Sequence, residues 1–128
     1  MGAYLKGKHI KEVCFISSPA KRAYDTAVSI AHALYEKPEI LIQESLYTFH
    51  DNGSVFINLA RTISNQFETL ILFSHNETCY EFVQEICPEE IDAFPTCAVA
   101  CFKADVTDWE EISKDKLELE FFQIPKKL

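Results

Sequence analysis

Two stretches of this chain, VCFI (13–16) and TLILF (69–73), contain no charged residue. Each stops abruptly at a polar junction, SSPAKR after the first and SHNE after the second. A helical spacing of apolar residues then begins. Runs this short, apolar on both sides, are what a strand needs when both its faces are covered. A buried strand that hands over directly to a helix, twice in one chain, predicts an α/β fold with a mostly parallel sheet, because parallel neighbours need crossover connections. TLILF is the most convincing of the buried strands.

The other elements follow from spacing and punctuation. Ser18 is placed to N-cap a helix with Pro19 at its first position. Ala23, Ala27, Ile30, Ala31 and Leu34 recur along one face of it, and Pro38 ends it. Ile40 to Ile42 is a second short strand, followed by the loop ESLYTFHDNGS. Asp51-Asn52-Gly53 is a turn signal and Ser54 a cap. Phe56, Leu59, Ala60, Ile63 and Phe67 then share a helical face. Asn76 is placed to cap a helix carrying Cys79, Phe82, Val83 and Ile86, which Pro88 stops. Residues 96–104 (TCAVACFKA) read as a strand, and TDWEEI as one or two helical turns capped by Thr107. Residues 117–124 (LELEFFQI) alternate as an edge strand does, so the last two strands form a hairpin-like addition. Neither repeats nor linker-like stretches interrupt the 128 residues, which suit one domain, 1–128.

Apolar residues make up 48% of the chain and charged residues 25%, the balance of a soluble globular protein. The formal net charge of −8 disfavours nucleic acid and anionic membrane as partners, since no basic field is present to release counterions. Any anion site must therefore be local. The N-terminal MGAYLKGKHIKE has no apolar signal core, and no run approaches a membrane span. Five cysteines at 14, 79, 87, 97 and 101, without a Cys-x-x-Cys pair, read as reduced thiols in a cytoplasmic protein. Cys97 and Cys101 lack the further ligands that a metal site needs, so no metal is expected.

Open α/β sheets bind ligands beyond the carboxyl ends of their strands, which directs attention to the two junctions. At the first, a helix start supplies unbonded backbone N–H groups and the positive end of a dipole. Arg22 stands in that first turn, where a cation is unfavourable for the helix itself. Its planar fork suits bidentate binding of phosphate or carboxylate; the plainer alternative is an exposed arginine paired with Asp25 or another acid. At the second, His75 follows a strand directly, placed to donate to an anion, accept a proton or act as nucleophile. The alternative is a histidine satisfied by neighbouring backbone. Ser74 lacks the Gly-x-Ser-x-Gly context of a hydrolase elbow. His50 and Asp51 form a loop pair that reads as solvated turn chemistry. His9 and His32 are expected at the surface, and Trp109 is expected to cover a sheet end.

These junctions carry a resemblance. ISSPAKRAYDTA is similar to the Ser-Pro-x-x-Arg-Ala-x-x-Thr-Ala motif of the histidine phosphatase superfamily, and LILFSHNETCYEFVQ to that superfamily's later strand and Gly-His-Asn motif. ESLYTF stands where relatives read Leu-Tyr-Glu. FPTCAVACFKADVTDWEEI and LEFFQIPKKL resemble the closing segment of the bacterial phosphohistidine phosphatase branch. The resemblance implies a three-layer, phosphoglycerate mutase-like fold, a mostly parallel central sheet with helices on both faces. It implies that Arg22 and His75 hold phosphate oxygens, with Ser74 beside them, and that no cofactor is used. The implied substrate is phosphohistidine on a protein partner of signalling or phosphotransfer.

Three departures qualify the resemblance. No Arg-His-Gly, the motif that bears the nucleophile, occurs in the chain. Met1 falls at an internal position of the family's first helix, so the first strand is expected to be missing, through a late start codon, a truncated gene or a fragment; the alternative is a domain that evolved without that strand. Such a chain would turn over weakly or not at all and would be marginally stable, aggregation-prone or oligomeric. Thr48 stands where relatives often carry a proton-donating glutamate, a change that a phosphorus–nitrogen bond tolerates better than an oxygen ester. Ser74 replaces glycine and adds a side chain that crowds or hydrogen-bonds the phosphate. The rival function is a module that grips a phosphorylated partner without cleaving it.

Overall fold

The computed structural model describes residues 1–47, 54–89 and 91–127. The architecture is α/β: a three-stranded parallel sheet flanked by helices, and a separate two-stranded antiparallel sheet. The chain divides into two compact units, one of residues 1–47 and 66–75, the other of residues 48–65 and 76–128.

In the first unit the chain runs α1 (Gly2–Lys6), β1 (Val13–Ser17), α2 (Lys21–Leu34), β2 (Ile40–Ile42) and β3 (Thr69–Phe73). The strand order is β2-β1-β3. All five β1 residues are buried, as its uncharged sequence requires of a central strand. Along α2, Ala23, Ala27, Ile30 and Ala31 are buried at the i, i+4, i+7, i+8 spacing of one helical face. The small alanines let the helix approach closely, and Ile30 contributes roughly 1.5–3 kcal/mol by its burial. Tyr35, just past the helix, turns back onto the strand. Its hydroxyl accepts from Val13 N–H at 3.3 Å, and its ring meets Phe15 edge-on at 5.9 Å. A Cβ added at Gly2 would lie 2.5 Å from the Ala33 Cβ, so α1 packs on α2 at a distance only glycine permits.

Here the structure corrects several expectations. TLILF forms the expected strand but is less buried than expected: only Phe73 of β3 is buried, and the rest are partly exposed. The reason is position, since β3 pairs with β1 alone and lies at one side of its sheet. Ser18 does not cap α2. It extends the ladder, donating its N–H to Phe73 O at 2.9 Å, and its Oγ accepts from Ala20 N–H at 3.2 Å; the helix starts at Lys21, with Ala20 as N-cap and Pro19 outside it. The helix also ends at Leu34, before Pro38.

The second unit holds α3 (Ser54–Ala60), α4 (Asn76–Ile86), β4 (Val99–Ala104) and β5 (Leu117–Gln123). Val83, Cys87 and Ile91 form its centre, with Phe94, Ala100, Phe102, Leu119 and Phe122 against them. Phe82 links α3 to the hairpin, meeting Phe56 at 5.3 Å and Phe102 at 5.8 Å, both edge-on. The hairpin is antiparallel with an irregularity between Cys101 and Phe102. β4 begins at Val99 rather than at 96, because Cys97 adopts a left-handed φ of 64° that no strand continues through. α3 stops at Ala60, which leaves Ile63 and Phe67 beyond the helix. Asn76 is the first residue of α4 rather than its cap. TDWEEI forms one 3-10 turn, Trp109–Glu111, whose cap position is Asp108 rather than Thr107. Trp109 is half-buried, and its N–H donates to Asn65 Oδ1 at 2.9 Å.

Among the described residues, no helix is long and apolar enough to cross a membrane. No group of three or more His, Cys, Asp or Glu side chains among them could hold a metal ion. No disulfide joins the cysteines; Cys14 and Cys87 are buried, and the other three are partly exposed.

Candidate functional site

Strand register assembles the site within the first unit. Ser17 lies opposite Ile42 of β2 and Phe73 of β3, so all three strands reach their carboxyl ends at one level. Each ladder runs one residue further: Ser18 N–H donates to Phe73 O, and Gln43 N–H to Ser17 O, both at 2.9 Å. Neighbouring strands in a sheet are about 4.8 Å apart. Ser18 and Ser74 therefore start side by side, and the two junctions read from the sequence, with Arg22 and with His75, leave the same edge of the same sheet.

At the first junction Ser17 and Ser18 are fully buried, and their polar atoms are satisfied locally. The Ser17 hydroxyl donates to Ser18 O at 2.8 Å, while Ser18 Oγ accepts from Ala20 N–H at 3.2 Å. This tight turn consumes the serine that would otherwise cap the helix, and α2 has no side-chain cap. The first N–H to find a carbonyl one turn back is that of Tyr24, which bonds to Ala20 O. Those of Lys21, Arg22 and Ala23 precede the first acceptor that the helix itself supplies, and they point toward the positive dipole end.

The two cations divide the work. Lys21 Nζ pairs with Asp25 Oδ2 at 2.8 Å, one turn along the helix, and this hydrogen bond with the carboxylate charge raises the Lys21 pKa. The alternative reading gave Asp25 to Arg22, but the lysine has taken it. Arg22 is exposed, with no ion pair or side-chain hydrogen bond among the described residues. Its backbone carbonyl accepts from Thr26 Oγ1 at 3.0 Å, which holds the turn that carries it.

At the second junction the Ser74 hydroxyl donates to Leu46 O at 2.9 Å. That bond ties the end of β3 to the loop after β2, where Glu44–Leu46 form one 3-10 turn and Leu46 is fully buried. In this structure the Ser74 proton is directed at backbone. His75 follows, partly exposed, with Nε2 out of solvent. The Tyr47 ring meets its imidazole edge-on, with centroids 5.0 Å apart and planes at 76°.

Arg22, Ser74 and His75 thus share one sheet edge. The loop pair His50–Asp51 and Thr48 lie outside the described residues. His9 and His32 are exposed. Sequence reasoning missed two contributors, the Leu46 carbonyl and the Tyr47 ring. A lone leucine in a polar loop was the available signal, because a buried anchor fixes whatever follows it. An exposed guanidinium, an imidazole and an uncapped helix start together suit a small oxyanion. Comparison with family models, with curated proteins and with solved structures finds no match to this chain.

Proposed function

We propose that this chain is a histidine phosphatase-like domain of phosphoglycerate mutase-like fold that binds the phosphoryl group of phosphohistidine on a protein partner. The observation that carries the reading is the register of β1 with β3, which brings the Arg22 helix start and His75 to one strand edge. Arg22 grips two phosphate oxygens through its fork, and His75 donates to a third. The uncapped N–H groups of α2 add a positive field without a further charged side chain. Donors placed this way stabilise the charge spread over the equatorial oxygens during phosphoryl transfer. The partner is a signalling or phosphotransfer protein, and the reading places it in the cytoplasm with no metal or cofactor.

Turnover by these residues alone is a separate matter. The chain contains no Arg-His-Gly, so the superfamily's nucleophile is not among its residues. That observation favours a second reading, a module that holds the phosphorylated partner without cleaving it.

Calorimetry and phosphate release on one phosphohistidine protein separate the readings. Binding abolished by Arg22→Ala, with release far below that of an intact phosphatase, supports a phosphate site without turnover. Rapid release would show that His75 or another residue serves as nucleophile. Absence of binding by the wild-type chain rejects both readings.

A further inference from the structure

The loop after β2 holds one side chain whose placement nothing above explains. Tyr47 closes the 3-10 turn, its N–H donating to Glu44 O at 2.9 Å. The residue before it, Leu46, is fully buried and accepts the Ser74 hydroxyl. The backbone on the approach to Tyr47 is thus anchored twice, yet the residue is 53% exposed. An aromatic ring held at the surface by a buried leucine is not there to build the core. Its described ring partner is His75, in the edge-on geometry that aromatic quadrupoles favour.

We propose that Tyr47 is the positioning residue of His75: its ring, rather than its hydroxyl, sets the angle at which the imidazole stands at the carboxyl end of β3. The inference deepens the phosphate-site reading and rests on it for its functional consequence. An imidazole can turn about its two side-chain bonds, and only some orientations direct a ring nitrogen toward an oxyanion. His75 Nε2 lies out of solvent, so the ring's orientation decides what that nitrogen can reach. The chain fixes the backbone of His75 through Ser74, whose hydroxyl binds Leu46 O, and the next residue of that same loop carries the ring that meets the imidazole. One loop therefore sets both the height and the angle of His75. Substrate contact is not required of Tyr47; it acts through the histidine.

The test uses the whole chain, with the His75 ring signals followed by NMR and inorganic phosphate as the probe. Tyr47→Phe should leave the ligand-free His75 signals nearly in place and keep phosphate affinity within about twofold of wild type. Tyr47→Ala should remove the ring-current displacement from those signals. Its affinity should fall roughly two- to tenfold, the equivalent of the ~0.5–1.5 kcal/mol that an aromatic pair contributes. Tyr47→Leu, which keeps bulk without the π-face, should behave as the alanine variant and serves if that variant folds poorly. Unmoved His75 signals in Tyr47→Ala and Tyr47→Leu would overturn the proposal, as would a loss in Tyr47→Phe equal to that in Tyr47→Ala. If phosphate shifts no signal in wild type, the phosphate reading fails. The ligand-free His75 signals then still decide for or against Tyr47.

Discussion

Lys21 and Arg22 sit side by side at the start of α2, and a single acid, Asp25, lies within helical reach of both. Spacing permits i,i+4 from the lysine and i,i+3 from the arginine, so the sequence leaves the pairing open. The folded helix gives Asp25 to Lys21. We expect Arg22→Ala to abolish inorganic phosphate binding measured by calorimetry, Arg22→Lys to restore only part of it because the bidentate fork is lost, and Lys21→Ala to change it less than twofold. Equal losses in the alanine variants would mean that simple positive charge, rather than guanidinium geometry, recruits the anion. Ser74 makes the complementary point. Its side chain next to His75 suggested crowding or hydrogen-bonding of the phosphate, and in the structure its proton goes to Leu46 O. Removing that bond in Ser74→Ala should cost about 1 kcal/mol, read as a lower urea midpoint with unchanged slope. The Arg22, Ser74 and His75 positions were legible because strand-to-helix junctions announce themselves in sequence. Tyr47 was not, because its role depends on a ring contact across a β2–β3 separation that no local pattern encodes.

At the scale of the element, β1 and β3 differ in burial although composition reads both as buried strands. Both are short and uncharged, and their order in the sheet alone makes β1 the buried centre. Composition reports that a strand is apolar; it does not report how many neighbours it has. The register also fixes which backbone groups are used. Successive residues of a strand direct their N–H and C=O to opposite sides. Because Phe73 O accepts from Ser18 N–H, and Thr69 N–H donates to Glu12 O at 3.3 Å, the odd-numbered residues of β3 face β1. Native-state hydrogen exchange should therefore alternate along β3, with Ile71 and Phe73 amides slow and Leu70 and Leu72 fast. Uniform protection of all four would mean that the far edge of β3 is hydrogen-bonded in solution, to a second chain or another strand. An uncharged edge with no proline is the kind that seeks such partners. The capping errors have a related origin. Ser18 is the right residue type for a cap, but its hydroxyl oxygen is taken by the Ala20 N–H in the turn that precedes the helix.

Across the whole molecule the charge is unevenly shared. The unit holding Arg22 and His75 carries six cations and six acids, while the other carries six cations and fourteen acids. The net −8 that argued against anionic partners thus belongs to the unit without the candidate site, and the unit that carries the site is itself neutral in sum. Stability against pH offers a further check. Burial, and then the Glu39 carboxylate, raise the Cys14 thiol above its ordinary value of 9.0. A raised thiol means that the unfolded chain ionises first. Its contribution is complete below about pH 9 and is lost as the pH climbs toward the folded-state value. We expect the urea midpoint to decline between pH 8 and 10.5 more steeply in wild type than in Cys14→Ala, even though the variant is less stable throughout from its cavity. Parallel declines would show that other groups govern the alkaline loss. The sequence by itself determined the alternation of strand and helix, the α/β class, and the polar junctions where an anion could be held, because these follow from local periodicity and from which residues end a strand. Only the tertiary structure decided which strand is central, which cation pairs with Asp25, and which ring meets the histidine. Those outcomes depend on contacts between residues tens of positions apart, where register and competition for hydrogen-bond partners, not local preference, select the arrangement.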